Sequence, residues 1–454
     1  MELHYNPYKL IESNGKKFLY TVSSSGIYEI DDDLIDILRC EGKDSKMAFE
    51  ILKSKMTYEK FSSILNDMIE SGLIDNMETA SLSAKENLDK SLSSITLMLA
   101  QECNLRCIYC YGNSGVYGNR GVMNLDTAIK AVDFLIDVSK EDKLYVIFFG
   151  GEPLLKFDII KKVVSYCKNK EAVIGKKFYF SITTNGTLIN KEIEEFFIEN
   201  KFAVQISIDG TKEKHDANRY DKNHKGCYNR VLKNTLKLRK DFVVSARATA
   251  SENNLDYVEI FEHLYSLGFV RITIAAAQNV LDKKHFEILL REYKRYIWYF
   301  YSLIKEGNFD KACTMNDIIM PLRKFEYGSE RVLSCGVVRT MCAVDIDGKI
   351  FPCHRFVSNK ECSIGSISNG MAEKACDFLN KTKINSHSQC QKCWAKNLCL
   401  GGCPNENYEN SGDITISSNR TCRFNQMLFE ELLKVYVNLT ENEKEKIFSI
   451  NPNL

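Results

Sequence analysis

The sequence has no apolar run long enough to cross a bilayer. Its most apolar stretch, Tyr296 to Tyr301, is far shorter than the roughly 20 residues that a spanning helix needs. Residues 1–7 lack the apolar core of a signal peptide. Charge of one sign is not in excess either, since 61 Lys and Arg meet 60 Asp and Glu for a net charge of +1. These absences predict a cytoplasmic protein with neither a membrane nor a nucleic acid as its partner.

Cysteine, by contrast, is plentiful, with 17 among 454 residues. Disulfides explain this poorly because the cytoplasm keeps thiols reduced. Metal clusters fit better, since most of the cysteines lie after residue 330. The isolated cysteines are predicted to be small buried apolar residues: Cys40, Cys167, Cys227, Cys313 and Cys376.

Hydrophobic residues make up 44% of the chain, which is enough for two or three domains with sizeable cores. The first domain, 1–80, is predicted to be a small winged-helix unit, because paired strands precede helices whose apolar residues recur three and four apart. Its predicted strands are 17–22 and 26–30, and its predicted helices are 32–38, 48–53 and 58–71. The polar stretch from Asp75 to Ser91 predicts a linker.

Strand and helix patterns alternate through the second domain, 93–310. This alternation predicts an α/β fold with a parallel sheet and helices outside it. The predicted strands are 95–99, 144–149, 177–182, 203–208, 243–249 and 270–275, and helical patterns include 125–138, 191–199 and 257–267. Active sites in such folds lie at the carboxyl ends of the strands, so chemistry is expected in the loops that follow them.

Three cysteines, Cys103, Cys107 and Cys110, follow the first of these strands on one tight loop. Three thiolates suit a 4Fe-4S cube, and because no fourth cysteine lies nearby, one iron stays open to an outside ligand. A structural zinc ion is the alternative. Zinc favours four closely paired ligands, however, and no histidine lies near the loop to complete a tetrahedron.

The spacing of these cysteines resembles the signature of the radical S-adenosylmethionine (SAM) enzymes. The resemblance implies a radical SAM partial (β/α)6 barrel whose cluster binds SAM through its open iron. It also implies cleavage of SAM to a deoxyadenosyl radical, which takes a hydrogen atom from a substrate. Tyr109, between the second and third cysteines, would lie against the adenine, although a packing role for this tyrosine is equally open.

Later strands end in motifs that follow the order of the same family. Gly150, Gly151 and Glu152 resemble its Gly-Gly-Glu motif, in which the carboxylate holds the SAM amino group. Asn185 and Ser207 resemble its ribose and carboxylate contacts and are assigned to SAM. Each of these motifs alone is an ordinary turn.

Two arginines are further candidates for the SAM carboxylate. Arg219 lies in a run, His215 to Arg219, that resembles the carboxylate contact of the family. Arg247 in the fifth predicted strand is another candidate, and it is equally open to a role as an ion-paired core residue.

The third domain, 325–440, carries a second cysteine pattern: Cys335-x12-Gly348-x4-Cys353, then Cys390-x2-Cys393-x5-Cys399-x3-Cys403, then Cys422. It resembles the SPASM extension of radical SAM peptide and protein maturases, which holds two further 4Fe-4S clusters. The resemblance implies an auxiliary cluster I on Cys335, Cys353 and Cys403, and an auxiliary cluster II on Cys390, Cys393, Cys399 and Cys422. A zinc ribbon on the four cysteines from 390 to 403 is the alternative, but it leaves the other three unexplained.

Cys342 lies close to where some relatives place a fourth ligand of auxiliary cluster I. The sequence leaves open whether Cys342 closes that cluster or leaves an iron free to hold a substrate thiolate. Cys362 matches no ligand position and is predicted to be structural.

His354 directly follows Cys353, where anaerobic sulfatase maturases carry an Asp as a proposed base. The run Pro352 to Arg355 instead resembles the thioether-forming maturases. With a pKa near neutrality, His354 could transfer a proton as a catalytic residue. A hydrogen bond from His354 to a cluster sulfur is an alternative role that the sequence supports at least as well.

Together these resemblances imply a peptide maturase of the sactipeptide and ranthipeptide type, including the SCIFF-type enzymes that act on Cys-rich precursors. Its cofactors would be three 4Fe-4S clusters and SAM, and flavodoxin or ferredoxin would be its electron donor. The first domain weakly resembles a leader-recognition element, where a precursor's leader adds as a strand to a sheet edge. The alternatives are another SPASM oxidation, such as carbon-carbon cross-linking, epimerisation or formylglycine formation in sulfatases, and an iron-sulfur scaffold without turnover.

Overall fold

The structure is a computed structural model that describes residues 1–74, 91–328 and 332–449. The predicted linker, apart from Ser91, lies outside these residues. The described chain forms two compact units. The first contains residues 1–74, 320–328, 332–334 and 382–448, and the second contains 91–319, 335–381 and 449.

The first unit begins with a three-stranded antiparallel sheet in the order β1-β2-β3, followed by three helices. These elements are β1 (Tyr8–Ser13), β2 (Lys16–Thr21), β3 (Ile27–Ile30), α1 (Asp32–Leu38), α2 (Ser45–Leu52) and α3 (Tyr58–Glu70). Phe61, Leu65 and Met68 of α3 recur at helical spacing and enter one core with Leu19 of β2. Side chains cap the helices, as where Thr57 Oγ1 accepts from the Lys60 amide.

The second unit is built on six parallel strands in the order β4-β6-β7-β8-β9-β10, which confirms all six predicted strands. They are β4 (Ser94–Gln101), β6 (Lys143–Gly150), β7 (Lys177–Thr184), β8 (Ala203–Ser207), β9 (Val244–Ala250) and β10 (Arg271–Ala276), and a short β5 (Gly121–Val122) pairs with β4. The helices that follow are α4 (Leu125–Val138), α5 (Phe157–Ile174), α6 (Lys191–Glu199), α7 (Lys212–Asn218), α8 (Tyr228–Asp241), α9 (Tyr257–Ser266) and α10 (Lys283–Lys305).

Residues alternate between the two faces of these strands. Phe148, Ile182, Ile206, Ala246 and Ile272 are each at most 1% exposed and form the apolar face that helices cover. The residues between them form what we call the inner face. Its half-buried members include Thr183, Gln205, Ser207, Arg247 and Thr273. A parallel sheet usually buries apolar residues on both faces, so a polar inner face indicates a space for ligands.

A later strand extends the same sheet. β11 (Met341–Val344) runs parallel to β4 and pairs Cys342 with Ile95. The short antiparallel strands β12 (Lys349–Phe351), β13 (Gly365–Ser366) and β14 (Gly370–Met371) follow in order. Two helices precede β11 in the chain, α11 (Phe309–Ala312) and α12 (Asn316–Glu326), and α13 (Lys374–Thr382) follows β14.

Four more helices complete the described chain: α14 (Lys396–Cys399), α15 (Pro404–Ser411), α16 (Asn419–Val437) and α17 (Glu441–Ser449). Within the first unit α16 packs on the amino-terminal sheet, where Lys9 Nζ of β1 meets Glu430 Oε2 at 2.7 Å. Asn397 of α14 donates to the Val22 carbonyl at 2.5 Å. In the residues that the structure describes, none of the helices combines the length and apolarity that a membrane span requires.

Candidate functional site

The loop after β4 brings the thiols of Cys103, Cys107 and Cys110 together. Burial raises the pKa of Cys103 to about 12, and the charges of Glu152, Cys107 and Cys110 act in the same direction. Burial also raises the pKa of Cys107 to about 11, and Cys110 adds to that increase. Every pair of the three thiols therefore interacts, and three such thiols become stable thiolates only beside a positive centre.

Glycines let the loop after β6 pack directly on the cysteine loop. A Cβ on Gly151 would lie 2.2 Å from the Glu102 carbonyl oxygen, and one on Gly150 would lie 2.3 Å from that of Ala100. Gly115 would place a Cβ 2.7 Å from Cys103 Cβ. These contacts leave room for glycine alone, so the three glycines set the approach of the two backbones.

Glu152 points into the protein and is 0% exposed. Its Oε1 accepts from the Leu154 amide at 3.0 Å and from Thr184 Oγ1 at 2.7 Å, and its Oε2 accepts from the Asn185 amide at 2.8 Å. Burial raises the pKa of Glu152 to about 7, while these hydrogen bonds oppose the shift. The Glu152 carboxylate thus holds the turn after β7 in place, and it lies close enough to the cysteine loop for its charge to act on Cys103.

The Asn185 side chain connects that turn to the cysteines. Its Nδ2 donates to Asn104 Oδ1 at 2.9 Å and to Cys103 Sγ at 3.8 Å. Its Oδ1 accepts from Thr187 Oγ1 at 2.6 Å, and Asn104 Nδ2 donates to the same hydroxyl at 2.8 Å. The loops after β4 and β7 are therefore held in one hydrogen-bond network.

Asp209 is a site residue that the sequence reasoning did not assign. It follows β8 and is 0% exposed, and its Oδ2 accepts from the Tyr109 hydroxyl and from Arg219 Nε. Arg219 also donates to Cys107 Sγ at 3.8 Å and lies over the Tyr109 ring, 5.4 Å from its centroid. Asp209 thereby fixes two of the predicted site residues against the second cysteine. The run Ser207-Ile208-Asp209-Gly210 was the available signal, since it placed a carboxylate at a strand end.

Ser207 and Arg247 are neighbours on the inner face. Ser207 is the last residue of β8, and Arg247 of β9 is its partner in the strand register. Both are half-buried. The predicted SAM contacts at the ends of β6, β7 and β8 therefore lie on adjacent strands.

His354 packs against an aromatic ring of the barrel. Its ring centroid lies 4.5 Å from that of Phe149 and 6.4 Å from that of Tyr111. Burial lowers the pKa of His354 to about 4, and the charges of Arg355 and Arg247 act in the same direction. The near-neutral pKa expected from the sequence is not found, because the imidazole lies among aromatic rings and cations.

The cysteines assigned to auxiliary cluster I differ in their surroundings. Cys335 is exposed and Cys353 is partly buried, and both belong to the second unit. Cys403, just before α15, belongs to the first. Cys342 is 1% exposed within β11, and burial raises the pKa of its thiol to about 12. Cys362, predicted to be structural, is partly buried.

The cysteines assigned to auxiliary cluster II interact within the first unit. Burial raises the pKa of Cys390 to about 12, and the charges of Cys399, Cys393 and Cys422 add to this increase. Two amides of α16 face these thiols: Asn425 Nδ2 donates to Cys399 Sγ at 3.2 Å and Gln426 Nε2 donates to Cys393 Sγ at 3.6 Å. Amide donors of this kind stabilise thiolates that bind metal.

Among residues 1–74, 91–328 and 332–449, no three His, Cys, Asp or Glu side chains are arranged to hold a single metal ion. A 4Fe-4S cube takes each thiolate on a different iron and so spaces its ligands more widely than one ion does. The mutual interactions of the thiols after β4, and of those around α14 and α16, fit this wider spacing.

Comparison with known proteins agrees with this site. A model of the radical SAM superfamily matches residues 98–249. An uncharacterised protein of Methanocaldococcus jannaschii is 34% identical over 236 residues, which cover 50% of this chain and 79% of that protein. A cysteine-type anaerobic sulfatase-maturating enzyme of Clostridium novyi is 26% identical over 367 residues, which cover 75% of this chain and 95% of that enzyme.

Two solved structures share the fold. Native anSMEcpe with bound AdoMet and Cp18Cys peptide has a TM-score of 0.63 at 24% identity, covering 77% of this chain and 100% of its own. Streptococcus suis SuiB bound to precursor peptide SuiA has a TM-score of 0.52 at 14% identity, covering 93% of this chain and 100% of its own.

Proposed function

Because the chain belongs to the radical SAM superfamily, we propose that it joins cysteine sulfur to carbon within a ribosomally made, Cys-rich precursor peptide. When bound, the cluster and SAM would supply the radical chemistry that abstracts one hydrogen atom from the substrate. In the net reaction one thiol S–H and one C–H are replaced by an S–C bond, SAM becomes methionine and deoxyadenosine, and one proton is released. The proposed class is that of the sactipeptide and ranthipeptide thioether synthases.

The observation that carries the choice of sulfur chemistry is the burial of Cys342. Its thiol lies within β11 of the extended sheet, and burial is the cause that raises its pKa. We propose that Cys342 is a core residue and not a ligand. Auxiliary cluster I would then keep a free iron, and a substrate thiolate could be held there.

Residues of the second unit would place the reacting groups. Cys103, Cys107 and Cys110 would hold the SAM-binding cluster, with Gly150 and Gly151 giving the SAM amino acid close access to it. Glu152, Asn185, Ser207 and Arg219 would hold SAM, and Tyr109, fixed by Asp209, would lie against the adenine. His354 would stay neutral and orient the substrate at the mouth of the inner face rather than carry a proton.

The amino-terminal sheet supports a peptide partner. Within the described residues β3 pairs with β2 alone, so one edge of β3 is open to a further strand. A leader peptide could add there through backbone hydrogen bonds. The solved structure of SuiB in complex with its precursor peptide supports the same type of partner. We further propose that flavodoxin or ferredoxin delivers the electron and that the enzyme works in the cytoplasm.

Sulfatase maturation is the second candidate, because the chain is similar to a cysteine-type anaerobic sulfatase-maturating enzyme. His354 stands against it, since a buried neutral imidazole replaces the acidic residue expected of those enzymes. A sulfatase-derived cysteine peptide would distinguish the two reactions, because formylglycine formation removes the sulfur atom and thioether formation retains it.

The test begins with the protein reconstituted under anaerobic conditions and supplied with dithionite and SAM. Deoxyadenosine is the expected product, and a Cys107→Ala variant provides the matched control that should form none. If the wild-type protein binds about twelve irons but yields no deoxyadenosine, the scaffold alternative replaces the proposal.

The second step adds a short Cys-rich peptide with an amino-terminal leader as the candidate precursor. The expected result is a loss of two hydrogens per bridge, with all sulfur retained, measured by mass spectrometry. Unchanged peptide mass despite deoxyadenosine formation would reject thioether synthesis on that peptide. An Ile27→Pro substitution should disrupt the edge strand β3 and so raise KM for the full precursor. Deoxyadenosine formation measured in the absence of peptide should not change.

A further inference from the structure

The cysteine loop reaches the surface beside a short hairpin, residues 220–226. Ile108 lies between two cysteines of the loop and is 41% exposed, so the loop is open to solvent there. The Arg106 amide donates to the Tyr220 carbonyl at 2.6 Å, and the Ile108 amide donates to the Asn218 carbonyl at 3.1 Å. These bonds place the hairpin directly beside the exposed part of the cysteine loop.

The hairpin has a defined internal structure. The Tyr220 and His224 rings stack with centroids 4.7 Å apart. Asp221 Oδ1 accepts from the Asn223 amide at 2.8 Å and from the Lys225 amide at 3.0 Å. Backbone amides therefore occupy the acidic group of the hairpin, while its lysine side chains extend into solvent.

Positive charge is concentrated in and just after this hairpin. Residues 222–240 contain seven Lys and Arg and no Asp or Glu, although the whole chain is nearly balanced at 61 to 60. Four of these cations are exposed and make no ion pair among the described residues. We call them the basic surface: Lys222, Lys225, Arg230 and Lys233. Unpaired cations of one sign create a positive potential that attracts an acidic partner.

The last two members of the basic surface continue it onto α8. This helix begins two residues after the hairpin, and Arg230 and Lys233 are three apart, which places them on one side of the helix. Other exposed lysines of the same unit are paired, as Lys130 is with Asp126 and Lys161 with Glu192. The lack of acidic neighbours is thus a local property of this surface.

We propose that the basic surface docks an acidic electron-carrier protein, which delivers its electron to the cysteine loop beside Ile108. The carrier is oxidised by one electron and the 4Fe-4S cluster is reduced by one electron, and neither a proton nor a chemical group is transferred. This inference rests on the proposed function for its carrier, flavodoxin or ferredoxin. Attraction between opposite charges accelerates such encounters, and redox partners bury little area, so a few cations beside the loop suffice.

The experiment uses the full chain, reconstituted under anaerobic conditions, and a flavodoxin of net negative charge. Equilibrium binding is measured by calorimetry, and cluster reduction is followed by EPR with either reduced flavodoxin or photoreduced deazariboflavin. Deazariboflavin is small and uncharged, so it needs no docking surface. One variant carries Lys222→Glu with Lys225→Glu, and the other carries Arg230→Glu with Lys233→Glu.

The matched control carries Lys162→Glu with Lys168→Glu. Both lysines are exposed on α5 and make no ion pair among the described residues, so the change in charge is the same at a different place.

We expect each variant of the basic surface to weaken flavodoxin binding and to slow reduction by flavodoxin about tenfold, while the control stays within about twofold of the wild type. Reduction by deazariboflavin should be equal in all four proteins. Wild-type reduction by flavodoxin should slow by about tenfold between about 20 mM and about 500 mM salt, and the variants should lose most of this dependence.

Wild-type binding by both variants would overturn the proposal, as would salt-independent reduction of the wild type. Equal slowing with deazariboflavin would also overturn it, because the substitutions would then disturb the cluster itself. Tighter binding to a DNA duplex of about 20 base pairs than to flavodoxin, lost in the same variants, would assign the surface to nucleic acid instead.

Failure of the proposed function is distinguishable from these outcomes. A wild-type protein that forms deoxyadenosine with deazariboflavin and leaves the peptide unchanged refutes thioether synthesis, whereas flavodoxin binding is measured without peptide or turnover.

Discussion

Asp209 and Arg219 form an ion pair that is closed off from solvent. Arg219 Nε donates to Asp209 Oδ2 at 3.0 Å, and the two side chains are 8% and 0% exposed. Asp209 Oδ1 also accepts from the Thr249 amide at 3.0 Å, and so attaches the pair to β9. Because the Tyr109 hydroxyl also donates to Asp209, the cysteine loop is linked through Asp209 to β9.

An Asp209→Asn substitution should lower the free energy of unfolding of the apo protein by about 3 kcal/mol, because it leaves Arg219 buried without a counter-charge. It should also change the EPR spectrum of the reduced cluster, since Arg219 donates to Cys107 Sγ. Urea denaturation and EPR measure the two effects. The control Asp126→Asn removes an exposed ion pair with Lys130, and its free energy of unfolding should fall by less than about 0.5 kcal/mol. An unaltered spectrum would show that the pair does not act on the cluster.

Gly151→Ala should prevent assembly of the cluster on the loop after β4. The added Cβ would lie 2.2 Å from the Glu102 carbonyl, and one backbone or the other has to move. Iron content after reconstitution should fall by about four atoms. Gly307→Ala is the control: it meets open space at φ +80° and should cost only about 1 kcal/mol of backbone strain with iron content unaltered. Full iron loading of Gly151→Ala would contradict the close packing.

Asp317 should make the stability of the apo protein pH-dependent. Burial raises its pKa from 3.8 to about 7, so the folded state holds this proton more tightly than the unfolded state. The free energy of unfolding should therefore fall as pH rises from about 4 through 7, by up to about 4 kcal/mol at about 1.4 kcal/mol per pH unit. The hydrogen bonds from the Ile274 amide and the Tyr296 hydroxyl, and the charge of Arg247, oppose part of this rise in the pKa of Asp317.

Urea denaturation of the wild type and Asp317→Asn between pH 4.5 and pH 8 measures this dependence. The variant should lose that decline, whereas Asp126→Asn should retain it. Parallel pH curves for the wild type and Asp317→Asn would mean that Asp317 titrates normally in the folded state.

Iron counts should separate ligand cysteines from core cysteines. The wild type should bind about twelve irons after reconstitution, and Cys390→Ala should bind about eight because Cys390 interacts with three other thiols. Cys342→Ala should stay near twelve, like the buried control Cys167→Ala. A loss of iron in Cys342→Ala would make Cys342 a ligand and remove the free position required for a substrate thiolate.

The sequence was sufficient to predict the six strands and the cysteine loop. Helices and strands differ in apolar period, and Cys103, Cys107 and Cys110 lie so close together that one loop must carry all three. The predicted helices 125–138 and 191–199 match α4 and α6 residue for residue.

Contacts between residues far apart in the chain were not accessible in this way. Arg219 was predicted as a SAM contact, but its pairing with Asp209 depends on the path of α7, which no local pattern specifies. Asp317 lies on α12, beyond the predicted barrel, so its hydrogen bonds with the Ile274 amide and the Tyr296 hydroxyl could not be anticipated. The pKa of His354 depends on Phe149 and on neighbouring cations that only the folded chain brings together.

The alternation of buried and inner-face residues along the strands separates the positions that form the apolar core from the positions that face away from it. Thr183, Gln205, Ser245 and Thr273 belong to the half-buried set, while their neighbours in the strands carry the apolar layer. Under the proposed function the substrate lies on the inner face, so substitutions there can change substrate preference without altering the core. A library randomised at these four positions should yield mostly well-folded variants, which makes the inner face a practical starting point for redirecting the enzyme to new substrates.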